Sequence, residues 1–433
     1  MRTLVQNGHV IDPASGMNTQ ADVAIANGTV VGLGDISSDF HPDTTLDASH
    51  CWVIPGLVDA GARLGEPGHA HEGMLDSELA AAVAGGVTSV VCLPDTQPVL
   101  DEPGLIEMLQ FRAKRLHLAN VFPLGALTRG LEGEILTPMV ELTAAGCVGF
   151  TQAEHAIPNT QGLQRAMQYA ATFGYGVWLR AQDSFLGKGI VASGPLATRM
   201  GLSGVPVAAE TIALHTYIDL MRMTGARVHI SKLSSAEGVA MVRSAKAEGL
   251  PITCDVSIHN LHFTDADIGY FDTRARLTPP LRQQRDRDAL RQGLADGTVA
   301  VLVSDHTPVE GDAKALPFAQ AEPGATGLEL LLSACLKWAI QEGIDRLRAL
   351  QVVTSAPASL LGPSNSKGRL FVGGPADLCV VDPTASWQVL PENLRSQSKH
   401  TPFAFDLSGS EMTAQVRATL VEGRLAYQAP GMF

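Results

Sequence analysis

Val53-Ile54-Pro55-Gly56-Leu57-Val58-Asp59-Ala60-Gly61-Ala62-Arg63 reads as a buried strand that carries polar residues only toward its C-terminal end. Seven further strand candidates follow, at 87–94, 121–127, 147–151, 176–181, 227–233, 252–259 and 299–306. Helical stretches lie between them at 76–84, 104–115, 161–173, 208–224, 236–248 and 286–295. Gly85, Gly146, Gly174, Gly225 and Gly249 stand where helix ends favour glycine. Eight strands, most of them followed by a helix, predict an α/β fold of the (β/α)8 TIM-barrel type.

Outward from this middle, both ends of the chain read as β-rich. Asn27-Gly28, flanked by apolar runs, is a strong two-residue hairpin signal, because both turn positions need positive φ. The C-terminal region offers a strand at 376–381 and a hairpin at 416–427 turning at Glu422-Gly423. The two ends together predict a small β-sandwich domain. The expected boundaries are 1–52 for its N-terminal part, 53–360 for the barrel and 361–433 for its C-terminal part.

Composition narrows the partners. A net charge of −13 over 433 residues argues against non-specific binding to nucleic acid or to anionic membranes. The N-terminus lacks a signal-peptide core, and no apolar run reaches the roughly 18 residues that span a bilayer. These features predict a cytoplasmic chain. Cys51, Cys92, Cys147, Cys254, Cys335 and Cys379 are widely spaced, form no C-x-x-C pair, and read as buried reduced thiols.

Catalysis in such barrels lives at the C-terminal strand ends. Those ends carry Arg63, Asp95, Gln152, Ala153, Arg180, Lys232 and Asp305. A hydrolytic metal centre needs several neutral imidazoles or carboxylates converging on one point. One cation about 5 Å from a divalent metal costs roughly 7 kcal/mol at an effective dielectric of 20. Arg63, Arg180 and Lys232 therefore predict a site that repels metal, with Asp305 engaged in an ion-pair network that keeps it charged and compensated. His69-Ala70-His71, in the loop after the first strand, is weak evidence for a ligand pair against a four-ligand requirement. His229 reads as a core histidine, whereas Asp183, His259 and His306 are candidates to line a pocket.

The motifs resemble the dihydroorotase-like amidohydrolase family. Pro55-Gly56-Leu57-Val58-Asp59 followed by Glu66-Pro67-Gly68 is similar to that family's signature, in which the aspartate opens an Asp-x-His-x-His-x-Arg run. The resemblance continues in order through Gly85-Gly86-Val87-Thr88, Leu93-Pro94-Asp95-Thr96-Gln97-Pro98, Arg227-Val228-His229-Ile230, Pro279-Pro280-Leu281-Arg282 and Asp305-His306-Thr307-Pro308, to Gly373-Gly374-Pro375-Ala376-Asp377-Leu378. It implies an amidohydrolase-type barrel, with the β-sandwich built from both termini.

The departures from the family pattern carry the functional reading. The two signature histidines fall at Gly61 and Arg63, and the bridging carboxylated lysine or aspartate near Gln152 or Ala153. The histidines of strands five and six fall at Arg180 and Lys232, and Asp305 alone remains as the vestigial catalytic aspartate. The substrate-binding arginine, asparagine and histidine fall at Gly65, Asp95 and Val309. The resemblance thus implies that the family's zinc is absent and that dihydroorotase activity is lost. It further implies kinship with metal-less family members that serve as non-catalytic subunits of aspartate carbamoyltransferase in pyrimidine biosynthesis, in a hetero-oligomer of dodecamer size with self-association. Two alternatives stand beside it: an active cyclic-amide hydrolase with an altered or metal-free site, using Asp305 as base beside Arg180 or Lys232, and a free-standing binder of a small ligand.

Overall fold

A computed structural model describes residues 2–362, 365–405 and 409–430; parts of the C-terminal segment at 361–433 thus lie outside the described residues. Eight parallel strands form the barrel: Leu57–Ala62, Val87–Cys92, Asn120–Pro123 continued by Gly125–Ala126, Phe150–Thr151, Gly176–Arg180, Arg227–Ser231, Ile252–Ser257 and Val301–Val303. The ring closes where Ala62 bridges to His306 and where Asp59 accepts hydrogen bonds from the backbone N–H and hydroxyl of Ser304. Strand periodicity decides what faces the centre. Val177 and Leu179 join the helix-facing core, whereas Trp178 packs inside with Val58, Ala60, Val91, Leu124, Val301 and Val303. Arg180 shares the Trp178 face two residues on, and so stands above that apolar floor.

The helices follow the sequence reading within a residue or two: Leu75–Ala84, Pro103–Leu116, Thr160–Phe173, Val207–Thr224, Ala236–Ala247 and Gln284–Asp296. Local chemistry sets their ends. The Asn159 and Ser235 side chains accept from the N–H groups of Gly162 and Gly238, satisfying N-terminal donors. Gly174 and Gly225 end their helices in the left-handed conformation.

The β-sandwich is assembled from both termini. One sheet contains Thr29–Gly34, Asp22–Ala26, Arg2–Gln6 and Thr44–Asp47. The other orders Arg424–Gln428, Glu411–Val421, Leu378–Gln388, Trp52–Pro55, His9–Asp12 and Met17–Gln20. Val5, Val10, Val23, Ile25, Val53, Leu378, Val380 and Leu420 fill the space between them. Asn27-Gly28 turns its hairpin with φ of 50° and 82°.

Four strand readings need correction, among them the eighth, expected at 299–306 and observed at Val301–Val303. The apolar run 53–63 is two strands, because Trp52–Pro55 pairs with Leu378–Val381 in the sandwich and the barrel begins at Leu57. Gly56 sits at that junction, where a Cβ would lie 2.2 Å from the Thr88 hydroxyl, so no larger residue fits. The domain boundary therefore falls at 55–57 rather than at 52–53. The fourth strand shrinks to Phe150–Thr151, and the seventh ends at Ser257, which places His259 in the short helix Ile258–His262. No helix among the described residues is long and apolar enough to cross a membrane.

Candidate functional site

The C-terminal ends of the strands surround a cavity of about 320 Å3, lined by Arg63, Asp95, Glu154, Lys232, Asp305 and Thr307 on its floor and by His69, Glu72 and Glu322 among others. Floor residues come from five strand ends, which is where barrel geometry converges side chains.

Glu154 is the hub, and it was missed in the sequence. Its carboxylate contacts Arg180 and Lys232 directly, and Arg63 at 3.4 Å. Burial alone would raise this carboxyl, but Arg180, Lys232 and Arg63 together hold it far below the ordinary carboxylate range. Arg63 also donates from Nε and Nη2 to one oxygen of Asp95, at 2.9 and 2.7 Å, and from Nη1 to Thr307. Lys232 bridges to Asp305 at 3.1 Å and donates to the carbonyl of Thr278. Burial opposes the charge on Arg63, but Asp95 and Glu154 outweigh it and keep the guanidinium protonated.

The expected basic trio converges and Asp305 pairs with one of its members, but the principal counter-ion is Glu154, which the sequence reading did not name. Among the described residues Asp305 pairs with Lys232 alone, whereas Glu154 holds all three cations. Gln152 is buried elsewhere, accepting from Thr128 and donating to the carbonyl of Leu131. Ala153, at φ 49°, turns the backbone so that Glu154 enters the site. Asp95, expected to repel an anion, is neutralised by Arg63.

Two glycines behave differently. A Cβ on Gly61 would meet nothing within 4 Å, so the backbone there does not itself demand glycine. A Cβ on Gly65, at φ 71°, would lie 1.9 Å from the Gly73 carbonyl oxygen, so the substrate-binding arginine has no place in this loop conformation. Val309 is buried, and Gly324 packs against it.

The remaining candidates are structural. His229 packs against Trp178 with the rings tilted and their centroids 4.6 Å apart, and is held by Asp255 and Thr253, each at 2.8 Å. His306 is fully buried and bonded to Glu78 at 2.8 Å, with Gly327 donating to its other nitrogen. Asp183 accepts from the backbone N–H groups of Phe185 and Leu186 and so shapes a turn. Burial pushes the thiols of Cys92, Cys147, Cys254, Cys335 and Cys379 up to about 12, which excludes them as nucleophiles near neutral pH.

The sequence carries the matching family on both halves. A Dihydro-orotase-like family profile matches residues 51–238, and an Amidohydrolase family profile matches residues 223–427. A dihydroorotase-like protein of Pseudomonas aeruginosa is 40% identical over 430 residues, covering 99% of this chain and 100% of that protein. This chain belongs to the dihydroorotase-like amidohydrolase family. A protein named dihydroorotase from Citrifermentans bemidjiense is 36% identical, over 99% of this chain and 100% of its own length. The fold is also that of an L-hydantoinase (dihydropyrimidinase) from Arthrobacter aurescens, with a TM-score of 0.86 at 24% identity over 98% of this chain and 96% of the other.

The family's zinc does not fit the donor set on the floor. Arginine and protonated lysine offer no lone pair to a metal, Gly61 has no side chain, and the carboxylates of Glu154 and Asp305 are already engaged by cations.

Proposed function

We propose that this chain is a non-hydrolytic member of the family, a structural partner of the aspartate carbamoyltransferase catalytic chain in a hetero-oligomer of dodecamer size serving pyrimidine biosynthesis. The observation that carries the reading is the closed ion network in which Glu154 binds Arg63, Arg180 and Lys232 where the family's metal chemistry would sit. Such a network ties up the floor carboxylates and leaves no free nucleophile or Lewis acid among its own side chains. Loss of the substrate-binding arginine position at Gly65, where no side chain fits, supports the same reading.

A retained fold without floor chemistry favours a role for surfaces. Met108 and Phe111, one helical turn apart on Pro103–Leu116, are exposed, and so is Val140 on the contacting helix Met139–Ala144. Exposed apolar side chains of this kind suit a subunit contact. Co-expression with the transcarbamoylase chain of the same organism, followed by size-exclusion chromatography with light scattering, tests the reading. A co-eluting complex of fixed stoichiometry is expected; two separate peaks at micromolar concentration would refute the partnership.

The open 320 Å3 cavity supports a second reading, in which a free-standing chain binds a small polar ligand without converting it. Saturable ligand binding by a chain that never joins the transcarbamoylase would favour it.

A further inference from the structure

A second cluster of metal-ligating side chains lies apart from the ion network, on the rim of the cavity. His69, His71 and Glu72 each offer one ligand atom, and these atoms all lie within 4.8 Å of one another. Glu72 Oε1 is 3.5 Å from His69 Nδ1 and 3.5 Å from His71 Nε2. Zinc–nitrogen and zinc–oxygen bonds of about 2.0–2.2 Å in a tetrahedron put neighbouring ligand atoms about 3.4 Å apart. Two edges of the triangle therefore already have the required length. The third, between the imidazoles, closes by side-chain rotation, which His71 can make because its side chain is 55% exposed.

The loop is built to present this triangle. The N–H of His69 donates to the Gly65 carbonyl, and the N–H groups of Glu72 and Gly73 both donate to the His69 carbonyl, folding 65–73 back on itself. His69 and Glu72 line the cavity together with Glu322, whose carboxylate adds negative charge to the same rim. None of the three cations of the floor is paired to Glu72 or Glu322 among the described residues. Two imidazoles with a carboxylate select a borderline transition-metal ion over calcium or magnesium, which prefer oxygen ligands alone.

We propose that His69, His71 and Glu72 bind a zinc-class divalent ion on the cavity rim, separate from the strand-end positions where the family holds its metal. The site is independent of the floor network and of the subunit role, and it supplies the loop with a cross-link between residues two and three apart in sequence.

The test is titration of the chelator-treated full-length chain with cobalt(II), followed by displacement with zinc(II). One equivalent of cobalt is expected, with the intense visible bands of a four-coordinate ion. His69→Ala and His71→Ala should each weaken zinc by more than about tenfold. Cys51→Ser should bind as the unaltered chain does, and circular dichroism should show all variants folded. No stoichiometric uptake at micromolar metal would overturn the proposal. So would uptake indifferent to both histidine substitutions; if such uptake instead disappeared in Asp305→Asn, the ion would belong to the floor and the non-hydrolytic reading would fall as well.

Discussion

Glu154→Gln removes one charge from the centre of three cations and keeps the side chain's shape. At about 4 Å and an effective dielectric of 20, each ion pair is worth about 4 kcal/mol, so the gross attraction lost is on the order of 12 kcal/mol. Much of this is offset. Desolvation of Glu154, several kcal/mol, disappears with its charge, and 27% of the side chain still reaches the cavity, where solvent screens it. Lys232 retains Asp305 at 3.1 Å and Arg63 retains Asp95 at 2.7 Å. Arg180, 8% exposed, pairs with Glu154 alone among the described residues and is left stranded. The net expectation is the loss from breaking one buried pair, about 3–5 kcal/mol. Urea unfolding followed by tryptophan fluorescence reads it as a lower midpoint at unchanged slope. Glu154→Gln/Arg180→Met should recover about 2 kcal/mol relative to the sum of the single changes. A single-variant effect under about 1 kcal/mol, or strict additivity, would refute the claim that Glu154 organises the floor.

Other consequences follow from the same geometry. Burial holds His259 at about 4 and His262 at about 3, against 6.5 when unfolded, so both stay neutral in the folded chain as the unfolded chain takes up protons. Their stabilisation is complete above pH 6.5 and is lost as pH falls toward 4. Asp59, raised by burial to about 6, works in the opposite sense between pH 6 and 3.8. Two histidines against one aspartate give a net loss of a few kcal/mol from pH 6.5 to 4, visible as a falling urea midpoint; a flat profile would contradict it. Gly61→Ala should change stability by less than about 1 kcal/mol, whereas Gly65→Ala should destabilise by about 2 kcal/mol or more, by thermal melts of both variants. Glu78→Leu strands His306, Ser396 and the Gln397 N–H, and should cost about 3 kcal/mol in the same melts. Phe111→Glu should leave the melting temperature unchanged but weaken co-elution with the transcarbamoylase chain by more than about tenfold.

Much of this molecule is legible in its sequence, for reasons that particular residues make plain. Helix periodicity and glycine ends place the outer ring, and Asn27-Gly28 and Glu422-Gly423 announce the hairpins of the sandwich. The junction at Pro55-Gly56 is harder to see, since two short buried strands in succession read as one apolar run. Arg63, Arg180 and Lys232 were visible as converging cations because strand ends converge. Glu154 was not, because it lies three residues beyond a two-residue strand and enters the site only through the left-handed turn at Ala153. One signal could have found it: three converging cations need as many carboxylates nearby, and Asp95 and Asp305 supply only two. The rim triangle escaped for a similar reason, since His69-x-His71 gains its third ligand from a loop that folds back on itself.

On the proposed reading, the barrel floor performs no dihydroorotase chemistry. The direct measurement is turnover between carbamoyl aspartate and dihydroorotate, in both directions, by the purified chain with zinc supplied. No rate above the uncatalysed background is expected, whether or not zinc occupies the rim. A zinc-dependent rate that disappears in Asp305→Asn would contradict that reading and make this chain a working hydrolase.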